Sequence, residues 1–210
     1  MKNMEELINK IEKLKNSDIK KIIDNRIKEF KNINLTSNNA LFKEMCFCML
    51  TANFNAEKSI KIQNEIGDCF FTDSQQDLSK KLKNYGHRFP NTRAQYIYES
   101  QKCRNLLTDI VKFHDKKALR DWMVTNIKGF GYKEASHFLR NIGFYDYAII
   151  DFHIIDILVS YNIIQKPKTI TKNKYLEIEK KLVNISNKTN LTLAELDLYL
   201  WYMETGKILK

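Results

Sequence analysis

The chain has 210 residues, enough to bury a core in one domain or in two small, tightly packed ones without help from a disulfide or a metal. Its 35 Lys and Arg against 25 Asp and Glu leave a formal charge of +10, which favours a polyanionic partner, although abundant Lys, Asn and Ile also fit AT-rich coding. No stretch approaches the roughly 20 apolar residues of a membrane span, and MKNMEELINKIEKLK is too charged for a signal peptide, so no membrane association and a cytoplasmic setting are expected.

Only Pro90 and Pro167 interrupt a pattern in which apolar residues recur three and four apart, so the fold is expected to be all-α with no sizeable sheet. In chain order the predicted helices span 4–15, 18–31, 38–51, 56–66, 75–84, 92–108, 116–127, 133–142, 152–162, 173–187 and 192–204. Ser17, Asn55, Ser74, Asn91, Asp115 and Asp151 precede periodic runs and are expected to accept hydrogen bonds from first-turn amides. Gly67, Gly86, Gly143 and Gly206 stand where a left-handed residue would close a helix. IIDFHIIDILVSYNII is rich in β-branched residues, which favour strands, yet its spacing predicts a helix. QKPKTITKN at 165–173 is the candidate linker. Cys46, Cys48, Cys69 and Cys103 form no C-x-x-C pair and no zinc-finger spacing, which predicts reduced, mostly buried thiols and no metal or cofactor.

The informative stretch is DWMVTNIKGFGYKEASHFLRNIGF at 121–144. Trp122, Met123 and Ile127 are placed on the buried face of one helix, and Ala135, Phe138, Leu139 and Ile142 on that of the next. Gly129 and Gly131 bracket Phe130 in a tight hairpin that presents backbone amides at the positive end of the second helix, where a DNA phosphate fits without base-specific contact. An isolated G-x-G also suits an ordinary turn. Here, however, IKGFGYKEA at 127–135 resembles the hydrophobic-x-G-hydrophobic-G-x-K-x-A hairpin of the helix-hairpin-helix DNA glycosylase superfamily. AIID at 148–151 follows at the distance where that superfamily carries its aspartate.

The chemistry suits this pair of residues. Breaking an N-glycosidic bond builds positive charge at the sugar carbon, so a nucleophile and a fixed negative charge both help. Lys133 lies in a first helical turn, where the positive helix end disfavours the ammonium form, and Asp151, as an N-cap, is expected to stay ionised. Taken singly, Lys133 is equally a solvated lysine and Asp151 a structural cap.

The likeness covers most of the chain and is greatest to the archaeal-type family of 8-oxoguanine DNA glycosylase/AP lyases, through LTANFNAEKSIKIQNEIG at 50–67, RFPNTRAQYI at 88–97, the hairpin with Asp151, and LYLWYMETGKILK at 198–210. That resemblance implies a bifunctional repair enzyme acting on double-stranded DNA containing oxidised guanine. Lys133 would form a Schiff base and Asp151 would stabilise charge. Gly129, Gly131 and Lys128 would grip the DNA backbone, and Asn53 would fill the space left by the flipped nucleotide. Phe89 would pack near the orphaned base. Trp201 would wall the base pocket, and Lys210 would reach the purine, its carboxylate accepting guanine-type N–H groups.

The same resemblance implies a helical subdomain over 34–143, with the helix-hairpin-helix at about 117–142, and a second formed by 1–33 with 144–210, flanking a DNA-binding cleft. Lys80, Lys81, Lys83, Arg88, Arg93 and Lys128 are candidates for the DNA face. A monomer is expected, in a nucleoid-associated setting. The absence of cysteine after Cys103 disfavours the iron-sulfur branch of the superfamily, and Lys128 stands where proline is more usual. A same-fold glycosylase for another lesion and a non-enzymatic helix-hairpin-helix DNA-binding protein remain open alternatives at this level.

Overall fold

The structure is a computed structural model that describes residues 2–33, 35–112 and 115–210, and among the described residues there are helices and turns but no strand. Residue 34, the expected start of the first subdomain, lies outside the described residues. The helices are α1 (Met4–Lys15), α2 (Ile19–Lys31), α3 (Asn38–Thr51), α4 (Ala56–Ile66), α5 (Cys69–Thr72), α6 (Gln75–Asn84), α7 (Pro90–Ser100), α8 (Leu107–Ile110), α9 (Lys116–Asn126), α10 (Tyr132–Asn141), α11 (Phe152–Ser160), α12 (Lys172–Thr189) and α13 (Leu193–Thr205). A 3₁₀ stretch, Gln101–Leu106, joins α7 to α8. The chain forms two compact units, Ile33–Phe138 and Met1–Asn32 with Leu139–Lys210, so one division falls inside α10.

The Ile33–Phe138 unit is built around α3, which is buried on every side from Leu41 to Thr51 apart from Lys43 and touches α4, α5, α7 and α8. This helix carries no solvent stripe, unlike the amphipathic helices around it. Its one buried acid, Glu44, accepts from Gln63 Nε2 at 3.3 Å. In the other unit α13 plays the same part, with Leu193, Leu196, Leu198, Tyr199 and Leu200 all buried, and it touches α1, α2, α11 and α12. A reciprocal cap starts it: Thr192 Oγ1 accepts from Glu195 N at 3.2 Å, and the Glu195 carboxylate accepts from Thr192 N at 2.7 Å.

Some local expectations change. Asp18 directly precedes α2 but makes no side-chain cap; the Ser17 hydroxyl accepts from Ile19 N, the first amide of α2, at 3.4 Å while it donates to Leu14 O at 2.7 Å. Phe89, not Asn91, precedes α7, since Pro90 takes the first helical position with its φ already set. Gly67 has φ −59 and is not left-handed, because the chain turns directly into α5, a short helix that sequence periodicity missed. The left-handed φ expected at Gly86, Gly143 and Gly206 is present. The helix expected over 92–108 breaks at Ser100, where Gln101 Nε2 donates to Phe70 O at 2.9 Å and the backbone tightens. Trp122 is only half-buried. Cys46, Cys48 and Cys103 are buried thiols outside any disulfide, and Cys69 is partly exposed. No helix among the described residues is long and apolar enough to cross a membrane.

Beneath α13 lies a buried ion pair. Arg140 donates to Asp197, spreads over the Phe30 ring at 4.8 Å from its centroid, and donates through Nη2 to Asn141 Oδ1 at 2.8 Å. Truncating the acid leaves a buried guanidinium without its counter-charge. Asp197→Ala is therefore expected to destabilise the protein by about 3–5 kcal/mol, measured by urea unfolding.

Candidate active site

In the Ile33–Phe138 unit the chain leaves α9 at Ile127 and makes one tight turn, with Phe130 N donating to Ile127 O at 3.1 Å, before Gly131 O accepts from Ala135 N to begin α10. Gly129 holds φ +83, a conformation that strains residues bearing a Cβ. The Tyr96 ring of α7 also lies so close that a Cβ on Gly129 would sit 2.2 Å from it. Phe130 turns inward, is buried, and packs at 6.3 Å from Phe138. Lys128 is exposed. Lys133 stands in the first turn of α10 with its side chain 22% exposed, its Nζ 3.6 Å from Glu134 Oε1.

Glu134 was not singled out by the sequence. Its Oε2 accepts from Gly131 N at 3.1 Å, so that amide, expected to face outward for a phosphate, is held by an internal carboxylate. The signal was present: an acid three residues after the residue preceding a helix is the spacing of a reciprocal cap.

Tyr96 leads from the hairpin to the other expected DNA-facing residues. Arg93 lies 5.7 Å from the Tyr96 ring and 5.7 Å from the Phe89 ring, and donates to Ala52 O at 2.7 Å. It is buried, which corrects its expected place among solvent-facing basic residues. Burial pulls its pKa down, the Tyr96 phenol and the Glu134 carboxylate acting the other way. Lys80, Lys83 and Arg88 are exposed, whereas Lys81 is tied to Asp73 at 2.8 Å. Phe89 is 36% exposed, with Arg88 5.1 Å from its ring. Asn53 is exposed with φ 55, a strained position for a non-glycine residue at which asparagine is among the better tolerated. The loops carrying Asn53 and Phe89 meet through His87, which lies 4.1 Å from the Phe54 ring, bonds Leu50 O through Nε2 at 3.0 Å, and accepts from Phe89 N through Nδ1 at 3.0 Å.

In the other unit Asp151 caps α11, its Oδ1 accepting from Ile154 N at 3.0 Å. This cap, together with burial of Ile154, Ile155, Ile157 and Leu158, overrides the strand preference of the β-branched run. The extended segment before it is pinned from α12. Tyr175 Oη donates to Ala148 O at 2.6 Å and accepts from Ile150 N at 3.2 Å, while Glu179 accepts from Ala148 N at 3.1 Å. Two residues past Asp151, His153 lies between Phe152, 3.9 Å away and itself 62% exposed, and Trp201, 4.6 Å away edge to face. Trp201 is only partly buried, but its indole Nε1 is fully buried without a protein acceptor. Lys210 is partly exposed, four residues beyond the left-handed Gly206 that ends α13. Tyr175, Glu179 and His153 escaped the sequence reading, the first two because their partners are about 30 residues away.

Gly129→Ala must strain a left-handed backbone and push Tyr96 aside, and is expected to cost at least about 2 kcal/mol in thermal unfolding while weakening DNA binding in a filter assay. Burial holds His87 below its ordinary pKa of 6.5. Its contribution to stability is fully present above that value and is lost as pH falls from 6.5 through the folded-state pKa. Unfolding free energy measured across that range should decline more steeply in the wild type than in His87→Gln.

A family model described as 8-oxoguanine DNA glycosylase matches residues 23–191. The 8-oxoguanine DNA glycosylase/AP lyase of Methanocaldococcus jannaschii is 55% identical over 97% of this chain and 99% of its own, and that of Korarchaeum cryptofilum is 49% identical over 99% of both. A crystal structure of the Methanocaldococcus jannaschii 8-oxoguanine glycosylase/lyase in complex with 15mer DNA containing 8-oxoguanine superposes with a TM-score of 0.95 at 55% identity, covering 97% of this chain and 99% of that one. With a hairpin, a following lysine and a capping aspartate in the all-α setting expected of such proteins, the chain belongs to the 8-oxoguanine DNA glycosylase/AP lyase family of the helix-hairpin-helix superfamily.

Proposed function

We propose that the protein excises 8-oxoguanine from double-stranded DNA and then cleaves the abasic site, with Lys133 as nucleophile and Asp151 as its electrostatic partner. The observation that carries this reading is Lys133 in the first turn of α10, directly behind the Gly129–Gly131 turn, in a chain that shares its family over nearly its whole length. The neutral Lys133 amine attacks the sugar C1′ and the glycosidic bond electrons leave with the base, which takes up a proton. The ionised Asp151 offsets the positive charge that develops on the sugar. Ring opening gives an imine between Lys133 and C1′, which acidifies the C2′ proton. Its removal expels the 3′ phosphate by β-elimination, and water releases the lysine.

The remaining assignments follow from chemistry. Lys128 and the Gly129 backbone engage phosphates, while Gly131 N stays on the Glu134 carboxylate. A flipped purine stacks on Trp201, whose buried Nε1 still lacks an acceptor. Lys210 belongs to that same base-recognition set. Asn53 and the exposed ring of Phe89 occupy the gap and the orphaned base. The protein acts as a monomer in a cytoplasmic, nucleoid-associated setting.

Incubation with an 8-oxoguanine duplex and borohydride is expected to trap a covalent adduct in the wild type and none in Lys133→Gln, with Asp151→Asn slowing excision by about 100- to 1,000-fold. An adduct that persists in Lys133→Gln would overturn the nucleophile. An adduct formed only with another lesion would overturn the substrate, and binding without any adduct would overturn the enzyme.

A further inference from the structure

We infer that Glu134 is a further catalytic residue of this reaction, its carboxylate taking the proton that Lys133 must lose before its amine can attack. The inference rests on the function proposed above and names a group that function leaves unassigned. An ammonium has no lone pair, so the nucleophile needs an acceptor within reach. Among the ion pairs of the described residues, Glu134 Oε1 lies 3.6 Å from Lys133 Nζ.

That approach is not a by-product of helix geometry. Neighbouring residues on a helix point about 100° apart and do not face each other. Glu134 meets Lys133 because its other oxygen, Oε2, is drawn back to Gly131 N at 3.1 Å. One oxygen is anchored on the hairpin backbone and the second is left toward the amine. The Glu134 and Lys133 side chains are 15% and 22% exposed, so the pair stands largely out of bulk water.

The charged and titratable groups around the pair are Arg93 and Tyr96 from α7, with Arg93 sensing the Glu134 charge. From α9 come Asp121, bound by the Tyr132 hydroxyl, and Arg120, 5.1 Å from the Tyr132 ring. In the step itself the Nζ–H bond breaks, its electron pair stays on nitrogen, and the proton forms an O–H bond at Oε1. The new lone pair then attacks C1′, and Glu134 returns its proton to water after turnover.

Glu134→Gln keeps an acceptor for Gly131 N and removes the base. Single-turnover excision of 8-oxoguanine, followed with borohydride trapping, is expected to slow about 100-fold near neutral pH and to recover as pH rises. In Glu134→Ala, added formate is expected to restore part of the rate. A Glu134→Gln rate that is unchanged or higher, with its pH profile moved to lower pH, would overturn the inference, because an ion-pair partner alone makes the amine harder to deprotonate. Failure of formate to rescue Glu134→Ala would overturn it as well. A wild type that traps no adduct would overturn the proposed function together with it, whereas a wild type that traps normally leaves the result to bear on Glu134 alone.

Discussion

In the Ile33–Phe138 unit Gly129 fits directly against the ring of Tyr96. There is no room for a Cβ, and the glycine is also left-handed, so steric exclusion and backbone conformation both select the same residue at one point. Because Tyr96 lies on α7 with Arg93 one turn earlier, this contact ties the hairpin to the Asn53 and Phe89 loops. Arg93 reaches Ala52 O from a buried position, and His87 staples Leu50 to Phe89 through its two ring nitrogens. The hairpin backbone and the loops carrying Asn53 and Phe89 are thereby held on one continuous set of contacts.

The Met1–Asn32 and Leu139–Lys210 unit solves a different problem, that of holding an extended strand-like segment inside a helical protein. Residues 146–150 have no helical ladder of their own; Ala148 O and Ile150 N are bonded to the Tyr175 hydroxyl, and Ala148 N to the Glu179 carboxylate, both of α12. Asp151 follows at the end of this pinned segment and spends one oxygen on the first turn of α11. In the same unit α13 is buried from Leu193 to Leu200 apart from Glu195, and its Asp197 accepts from the buried Arg140. Trp201 lies one turn beyond Asp197 on the same helix.

Glu134 shows how one side chain can serve structure and chemistry at once. Its link to Gly131 N satisfies an amide that a helix start would otherwise leave open, and the same link turns the second oxygen toward Lys133. A purely apolar residue at this position would leave both groups without that partner.

Helix content, most helix limits, the hairpin, and the caps at Asn55, Ser74, Asp115 and Asp151 were legible in the sequence, because each depends on residues within one or two turns of one another. So were Lys133 and Asp151 as candidates, since a hairpin pattern and an aspartate in register are local signals. What only the tertiary structure decided are the contacts that bridge distant positions: Tyr96 on Gly129, Arg93 turned inward to Ala52, Tyr175 on Ala148 and Ile150, and Trp201 beside His153. Periodicity reports which face of a helix is apolar, but the partner that covers it is chosen by packing among segments far apart along the chain, and no local pattern encodes that choice.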